Sequence, residues 1–214
     1  MKKKYGILIP AFLMVAFFSQ AQEAVYSGGG ISIRAGVNFQ NVNGEDALGN
    51  KLENKIKTGF NAGIVGDIPV APDFYFQPGI LYSAKGAKLE NTSDGKLSLN
   101  YIEVPLNLVY KPMLGTGRLL LGFGPYVGYG IGGKVENSGI EYDVKFKKEA
   151  GNAANTVYYK PFDAGANILF GYEFSNKLSA QLNAQLGLIN MNAYDNDAKY
   201  KNTGFGVSLG YRLN

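Results

Sequence analysis

The stretch YIEVPLNLVYK, from Tyr101 to Lys111, alternates between two kinds of side chain. Successive side chains of a β-strand point to opposite faces, so one face of this strand is continuously apolar and the other mostly polar. The apolar face carries Ile102, Val104, Leu106, Leu108 and Tyr110. The other face carries Tyr101, Glu103, Pro105, Asn107 and Lys111, with Val109 its one aliphatic residue. An unpaired carboxylate in an apolar core is costly, so Glu103 argues against an ordinary buried strand.

The same alternation recurs along the chain and predicts an all-β protein. Each run is at least as long as the ~9–11 residues of a tilted membrane-spanning strand. The links between runs are alternately long and short, which is typical of an up-and-down membrane barrel. We therefore predict an eight-stranded antiparallel up-and-down transmembrane β-barrel. Its strands are expected at 30–40, 58–69, 74–88, 97–111, 118–133, 160–174, 178–190 and 202–213.

The first residues have the layout of a secretory signal peptide. Three lysines precede an apolar stretch from Ile7 to Phe18, and small residues follow. We predict a signal peptide at 1–21 and a barrel domain at 22–214. Without residues 1–21 the chain keeps 18 basic and 17 acidic residues, because three of its 21 lysines and arginines fall in that segment. This balance gives no support to nucleic-acid binding.

Alternation alone fits either a soluble barrel with an apolar interior or a membrane barrel with an apolar exterior. Three features favour the membrane barrel. The polar faces are rich in Gly, Asn, Gln and Ser, the charges concentrate in the long loops, and Tyr and Phe mark the strand ends. A soluble periplasmic barrel that binds an apolar ligand is the remoter alternative.

Two adjacent strands carry a family resemblance. The segment IEVPLNL within Tyr101 to Lys111, followed by GFGPYVGYG from Gly122 to Gly130, resembles the PorT-type outer-membrane β-barrel family. The resemblance implies a porin-like barrel fold and an outer-membrane location, and it implies no enzymatic activity.

On the membrane interpretation, several charged side chains point into the barrel. An eight-stranded barrel has an interior just wide enough to be filled by side chains, so these charges must pair or stay hydrated. We predict that Glu103 pairs with Arg34, and that Arg212 meets Asp67 or Glu173. A plug of paired charges is favoured over an ion path. The predicted lumen charge network is Arg34, Asp67, Lys85, Glu103, Asp163, Glu173 and Arg212.

The sequence lacks the residues that most catalytic and metal sites need. It contains no histidine and no cysteine, so zinc sites built from these residues are excluded. Nucleophilic catalysis by Ser or Thr needs a base within reach, and no motif supplies one. We predict no enzymatic activity, no cofactor and no metal site.

The longest loop, 134–159, contains a second strand pattern outside the expected membrane span. GIEYDVKFKKE alternates apolar and charged residues, and NTVYYK can pair with it. One hypothesis is a protruding hairpin that offers its edge and aromatic face to a partner. The other is a folded loop that packs its aromatics over the barrel mouth. The candidate partner-binding residues are Ile140, Tyr142, Val144, Phe146 and Tyr158.

Together these patterns predict a monomeric barrel in the outer membrane of a Gram-negative bacterium, with both termini in the periplasm. Its expected partners are outer-membrane lipid, the outer-membrane assembly machinery and an extracellular or envelope protein. The predicted role is structural or interactive, as in adhesion or docking of an envelope partner. The alternative from another class is a narrow channel for small solutes or ions.

Overall fold

The computed structural model describes residues 29–89 and 95–214. The predicted signal peptide, 1–21, lies outside them and stays a prediction. Within the described ranges, no helix is long and apolar enough to cross a membrane. The strands are β1 (Gly30–Glu45), β2 (Lys57–Ala71), β3 (Phe74–Leu89), β4 (Gly95–Tyr110), β5 (Met113–Leu114), β6 (Gly117–Asn137), β7 (Ile140–Phe146), β8 (Thr156–Tyr159), β9 (Phe162–Glu173), β10 (Leu178–Gly187) and β11 (Lys199–Arg212).

Eight of these strands close into an antiparallel ring. Neighbours in the ring follow the chain order β1, β2, β3, β4, β6, β9, β10, β11, and β11 pairs with β1 to complete it. The two-residue β5 pairs only with the start of β6, so β4 and β6 are direct neighbours. The predicted eight-stranded up-and-down barrel is confirmed.

The links at the two ends of the barrel differ in length as the sequence predicted, except for the link 90–94 between β3 and β4, which is short and lies outside the described residues. Short links join β2 to β3, β4 to β6 and β9 to β10, and we call this side of the barrel the short-turn end. Longer links join β1 to β2, β6 to β9 and β10 to β11 at the opposite side, the long-loop end. Both β1 and β11 have their outer ends, Gly30 and Arg212, at the short-turn end.

The barrel is apolar outside and polar inside. Leu182 and Ile64 point outward and are more than half exposed, whereas Gln181 and Ser208 point inward and are buried. This arrangement is the reverse of a soluble barrel, whose apolar side chains fill the interior. It removes the soluble ligand-binding barrel from the alternatives.

Aromatic side chains border the apolar exterior at both margins. On β1 the apolar residues run from Ile31 to Phe39, about the length that a tilted strand needs to cross a bilayer. We call this outward surface the apolar belt. Ring pairs at its long-loop margin are Phe39–Phe205, Phe60–Tyr82 and Tyr129–Phe162, and those at its short-turn margin are Phe74–Tyr110 and Tyr172–Phe174.

Beyond the long-loop margin of the belt, the two faces of the barrel wall exchange their polarity, so that polar side chains point outward and apolar ones point inward. On β4, the outward side chains from Ile102 onward are apolar, but the preceding outward residues are Lys96, Ser98 and Asn100. The inward residues of the same segment are apolar and buried: Leu97, Leu99 and Tyr101. A register shift opposite β6 marks the transition, between Asn100 and Tyr101. The barrel thus continues beyond the belt with the polarity of a water-soluble protein.

The long β6–β9 link builds most of this extension. β6 continues to Asn137, turns through Ser138 and Gly139, and pairs antiparallel with β7. β8 then pairs with β7 in parallel, with Val144 opposite Val157. The predicted pairing of the two segments therefore occurs, but they do not form a simple antiparallel hairpin.

Candidate functional site: the lumen and its mouth

The strands bring the predicted lumen charges to the inside of the barrel. Six of the seven side chains are buried, and Arg212 is partly exposed near the short-turn end. They do not form one network. The contacts separate them into a group near the middle of the lumen and a group toward the short-turn end.

We call the middle group, Lys85, Glu103 and Asp163, the central cluster. The Lys85 ammonium lies 2.5 Å from Glu103 Oε1 and 3.1 Å from Asp163 Oδ2. Gly128 lies between the two acidic residues in the strand register. The Lys85 ammonium also lies 4.5 Å from the centre of the Tyr126 ring, a favourable cation–π distance.

The predicted partner of Glu103 is wrong. Glu103 contacts Lys85, whereas the Arg34 guanidinium donates a hydrogen bond to Gln77 Oε1 over 2.8 Å. The reason is geometric. Leu81 of β3 is registered opposite Glu103, and Lys85 lies further along that strand on the same inward face, so its long side chain reaches the carboxylate. Arg34 lies on β1, which is separated from β4 by two strands.

The second group lies nearer the short-turn end. We call Asp67, Lys111, Glu173 and Arg212 the short-turn cluster. The Lys111 ammonium lies 2.6 Å from Asp67 Oδ2 and 3.6 Å from Glu173 Oε2, and Arg212 lies 3.1 Å from Glu173 Oε1. Gln77 donates to Asp67 Oδ1 and links the cluster to Arg34. These bonds connect β1, β2, β3, β9, β11 and the residue that follows β4 across the lumen.

Lys111 is absent from the predicted lumen charge network, although it is central to the short-turn cluster. Its position in the alternation was a sufficient signal, because it follows Val109 on the inward face. With Lys111 included, Arg34 and the two clusters together contain four cations and four carboxylates, so the formal charges of this set cancel. The cations are Arg34, Lys85, Lys111 and Arg212, and the carboxylates are Asp67, Glu103, Asp163 and Glu173.

Little open space remains between the two clusters. A cavity of ≈ 30 Å³ lies there, with Arg34, Asn38, Glu103, Asn107 and Asn167 in its lining. This volume has room for about two water molecules. Arg34 and Glu103 therefore face the same small polar cavity, although they do not form the predicted ion pair.

An apolar group closes the lumen above the central cluster. We call it the mouth cluster: Val42, Ala87, Leu97, Leu99, Tyr101, Val135, Val144 and Met191 are all buried in it. The ring of Phe146 packs edge-on against Tyr101, with 5.4 Å between centroids. Burial raises the pKa of the Tyr159 phenol, which packs against the same group. The link 138–161 thus folds back over the mouth of the barrel.

The candidate partner-binding residues are mostly involved in this packing. Val144 and Tyr158 are buried, and Tyr142 and Phe146 pack against the mouth cluster. Ile140 alone among them is exposed. The free edge of β8 is also partly used, because Lys160 N–H donates to Met191 O and Tyr158 N–H donates to the Tyr194 hydroxyl. This geometry matches the folded-loop hypothesis better than a protruding, open-edged hairpin.

The charged side chains of the lumen are arranged in ion pairs and hydrogen bonds. The carboxylates of the lumen are in contact with cations or amides. In the part of the chain that the structure describes, no group of three or more His, Cys, Asp or Glu side chains is placed to hold a metal ion.

A comparison with protein-family models supports the membrane interpretation. Residues 18–193 match the model described as outer membrane protein beta-barrel domain, which covers most of the chain. The chain belongs to this outer-membrane β-barrel family. The apolar belt is therefore the surface that faces outer-membrane lipid. The narrower resemblance to the PorT type stays a prediction.

Among curated proteins, none matches the chain. Solved structures with a similar fold include Neisserial surface protein A, with 12% identity and a TM-score of 0.49, covering 87% of this chain and 100% of that one. Another is the attachment invasion locus protein Ail of Yersinia pestis, with 16% identity and a TM-score of 0.43, covering 86% and 99%. A major outer membrane protein of Thermus thermophilus has 10% identity and a TM-score of 0.42, covering 87% and 100%.

Proposed function

We propose that this outer-membrane barrel is a closed scaffold that presents its long-loop end to a protein partner at the cell surface. Adhesion or docking of another envelope component is the kind of role we infer, with no catalytic step. The observation that carries the proposal is the filled lumen. Two ionic clusters and the mouth cluster occupy it, and the cavity between the ionic clusters has room for only about two waters.

The proposal includes an orientation. We infer that the short-turn end and both termini face the periplasm, and that the long-loop end faces outside. Bacterial outer-membrane barrels have short periplasmic turns and longer extracellular loops, which supports this assignment. Several ion pairs on the outside of the extension, such as Lys134–Glu141 and Lys96–Glu136, suit a surface in water.

The surface available to a partner is the outer side of β7 and its turn. Glu141, Asp143 and Lys145 point away from the mouth cluster and are exposed, and Ile140 adds an exposed apolar side chain beside them. We propose that a partner contacts these side chains, because much of the β8 edge is already hydrogen-bonded. A folded extension presents them in a fixed arrangement, which lowers the ordering cost of binding.

Photo-crosslinking in intact cells tests the proposal. A crosslinking residue at Ile140 should capture one recurring protein, and Glu141→Arg combined with Asp143→Arg should abolish the adduct by reversing the local charge. The matched control is a crosslinker at Leu114, which is equally exposed at the short-turn end. Capture of the same protein from Leu114, or no adduct from any exposed position of β7, would contradict the proposal.

A further inference from the structure

A depression on the outside of the barrel lies just beyond the long-loop margin of the apolar belt. It is formed by the end of β10, the start of β11, the end of β1 and the link that follows β1. Its open volume is ≈ 410 Å³. Its lining includes Glu45, Lys51, Leu186, Lys199 and Lys201.

The depression is positively charged. Three lysines and one glutamate line it, which gives a formal charge of +2. The Lys199 ammonium is paired with Glu45, at 3.1 Å. Lys51 and Lys201 form no ion pair with any residue that the structure describes, so their charges are available to a ligand. Both lysines lie on the part of the barrel that is exposed above the belt.

The lower wall of the depression is apolar and continuous with the belt. Leu186 is 58% exposed and is registered opposite Thr203, two residues from Phe205. Phe205 stacks on Phe39, with 5.2 Å between ring centroids, at the margin of the belt. A ligand in the depression therefore meets cationic groups above and a lipid-facing surface directly below.

We propose that this depression binds the phosphate group of a membrane lipid whose acyl chains lie along the belt beside Leu186. Aromatic residues mark the level of the lipid headgroups, so a phosphate just above them lies at the height of the two lysines. Lysine binds phosphate as a point charge, and it places its ammonium at the interface while its stem stays on apolar surface. The belt supplies the site for the chains, and the unpaired charges supply selectivity for an anionic headgroup.

Native mass spectrometry of the full barrel in a phosphate-free detergent tests the proposal. The probe is dioleoyl phosphatidic acid, and dioleoylglycerol is the matched lipid without phosphate. The wild type should retain one phosphatidic acid and discriminate against dioleoylglycerol. Lys51→Gln with Lys201→Gln should weaken retention by about 25-fold, since each interfacial lysine contributes about fivefold.

Two further variants separate the site from general charge and from misfolding. Lys88→Gln with Lys148→Gln removes the same charge from exposed positions elsewhere at the long-loop end, and it should leave retention unchanged. Lys51→Arg with Lys201→Arg keeps the charge and should keep binding. Equal loss in both glutamine pairs, or equal retention of dioleoylglycerol, would overturn the proposal. Binding of inorganic phosphate alone with the same lysine dependence would also overturn it, because the site would then recognise a free anion.

Discussion

At the scale of single residues, Lys85 holds the central cluster together. Its ammonium is the cation that both Glu103 and Asp163 contact, and all three side chains are buried. Removing a carboxylate would leave one balanced ion pair. Removing the lysine would leave two carboxylates facing each other in a closed space. The cluster should therefore respond very differently to the loss of its cation and the loss of one anion.

We predict that Lys85→Met destabilises the barrel by about 3–5 kcal/mol, the cost of leaving a buried charge without its partner. Glu103→Gln should cost clearly less, because Lys85 keeps Asp163. Combining the two changes should recover part of the Lys85→Met loss. Urea unfolding of the barrel in phosphatidylcholine vesicles measures all three. Equal costs for the two single variants would show that Lys85 does not have this central role.

A second prediction concerns depth within the belt. Leu182 and Leu178 both face lipid on β10, but Leu182 lies near the middle of the belt and Leu178 at its short-turn margin, opposite Tyr211. Leu182→Arg should cost about 2–4 kcal/mol and Leu178→Arg no more than about 1 kcal/mol, as expected from the bilayer depth dependence. The same unfolding assay compares them. A larger cost at Leu178 would place the membrane elsewhere on the barrel.

At the scale of elements, the outward face of β4 contacts lipid along one part of the strand and water along the other. Val104 and Ser98 both point outward, on opposite sides of the polarity exchange. The chain has no cysteine, so a single introduced cysteine reports its own surroundings. Ser98→Cys in barrels folded into vesicles should react with a water-soluble maleimide, whereas Val104→Cys should react only after the membrane is dissolved. Rapid labelling at Val104 would contradict the assigned belt.

The extension makes a separate prediction about stability. β7 hydrogen-bonds to β6 on one side and β8 on the other, and Phe146 packs against Tyr101. Backbone amides of 140–146 and 156–159 should therefore exchange slowly with deuterium. Phe146→Ala should speed exchange in both segments while barrel strands such as β1 stay protected. Fast exchange throughout the wild-type segments would mean that the extension is not folded, and the proposed partner surface would lose its support.

At the scale of the whole molecule, the barrel was predictable because its main rule is local. In a strand that spans a membrane as part of a barrel, apolar and polar side chains must alternate. The alternation of residues such as Ile102 and Glu103 therefore predicts the strand, the face on which each side chain lies, and the contact with the membrane. The partners within each ion pair could not be predicted from this alternation. Glu103 could reach either Arg34 or Lys85 by face alone, and strand register and tilt decided for Lys85. The parallel pairing of β8 depends on packing at the mouth, which no local pattern specifies.

The three levels of packing in the lumen act together. The short-turn cluster, the central cluster and the mouth cluster each fill part of the lumen, with charged groups inside the belt and apolar groups beyond it. Where lipid surrounds the barrel, the polar side chains inside it are paired with each other. Where water surrounds the barrel, apolar side chains are buried inside it. A closed scaffold is the property on which the proposed role depends.

Current through single barrels in a planar lipid bilayer tests that property most directly. Insertion is verified by unfolding of the barrel that is slower in lipid than without lipid. A variant with both Lys85→Ala and Glu103→Ala serves as a reference with an opened lumen. The wild type should pass no steady current under an applied voltage, and the double variant should show a small leak. A stable, ion-selective conductance in the wild type would contradict the closed lumen and favour the channel alternative.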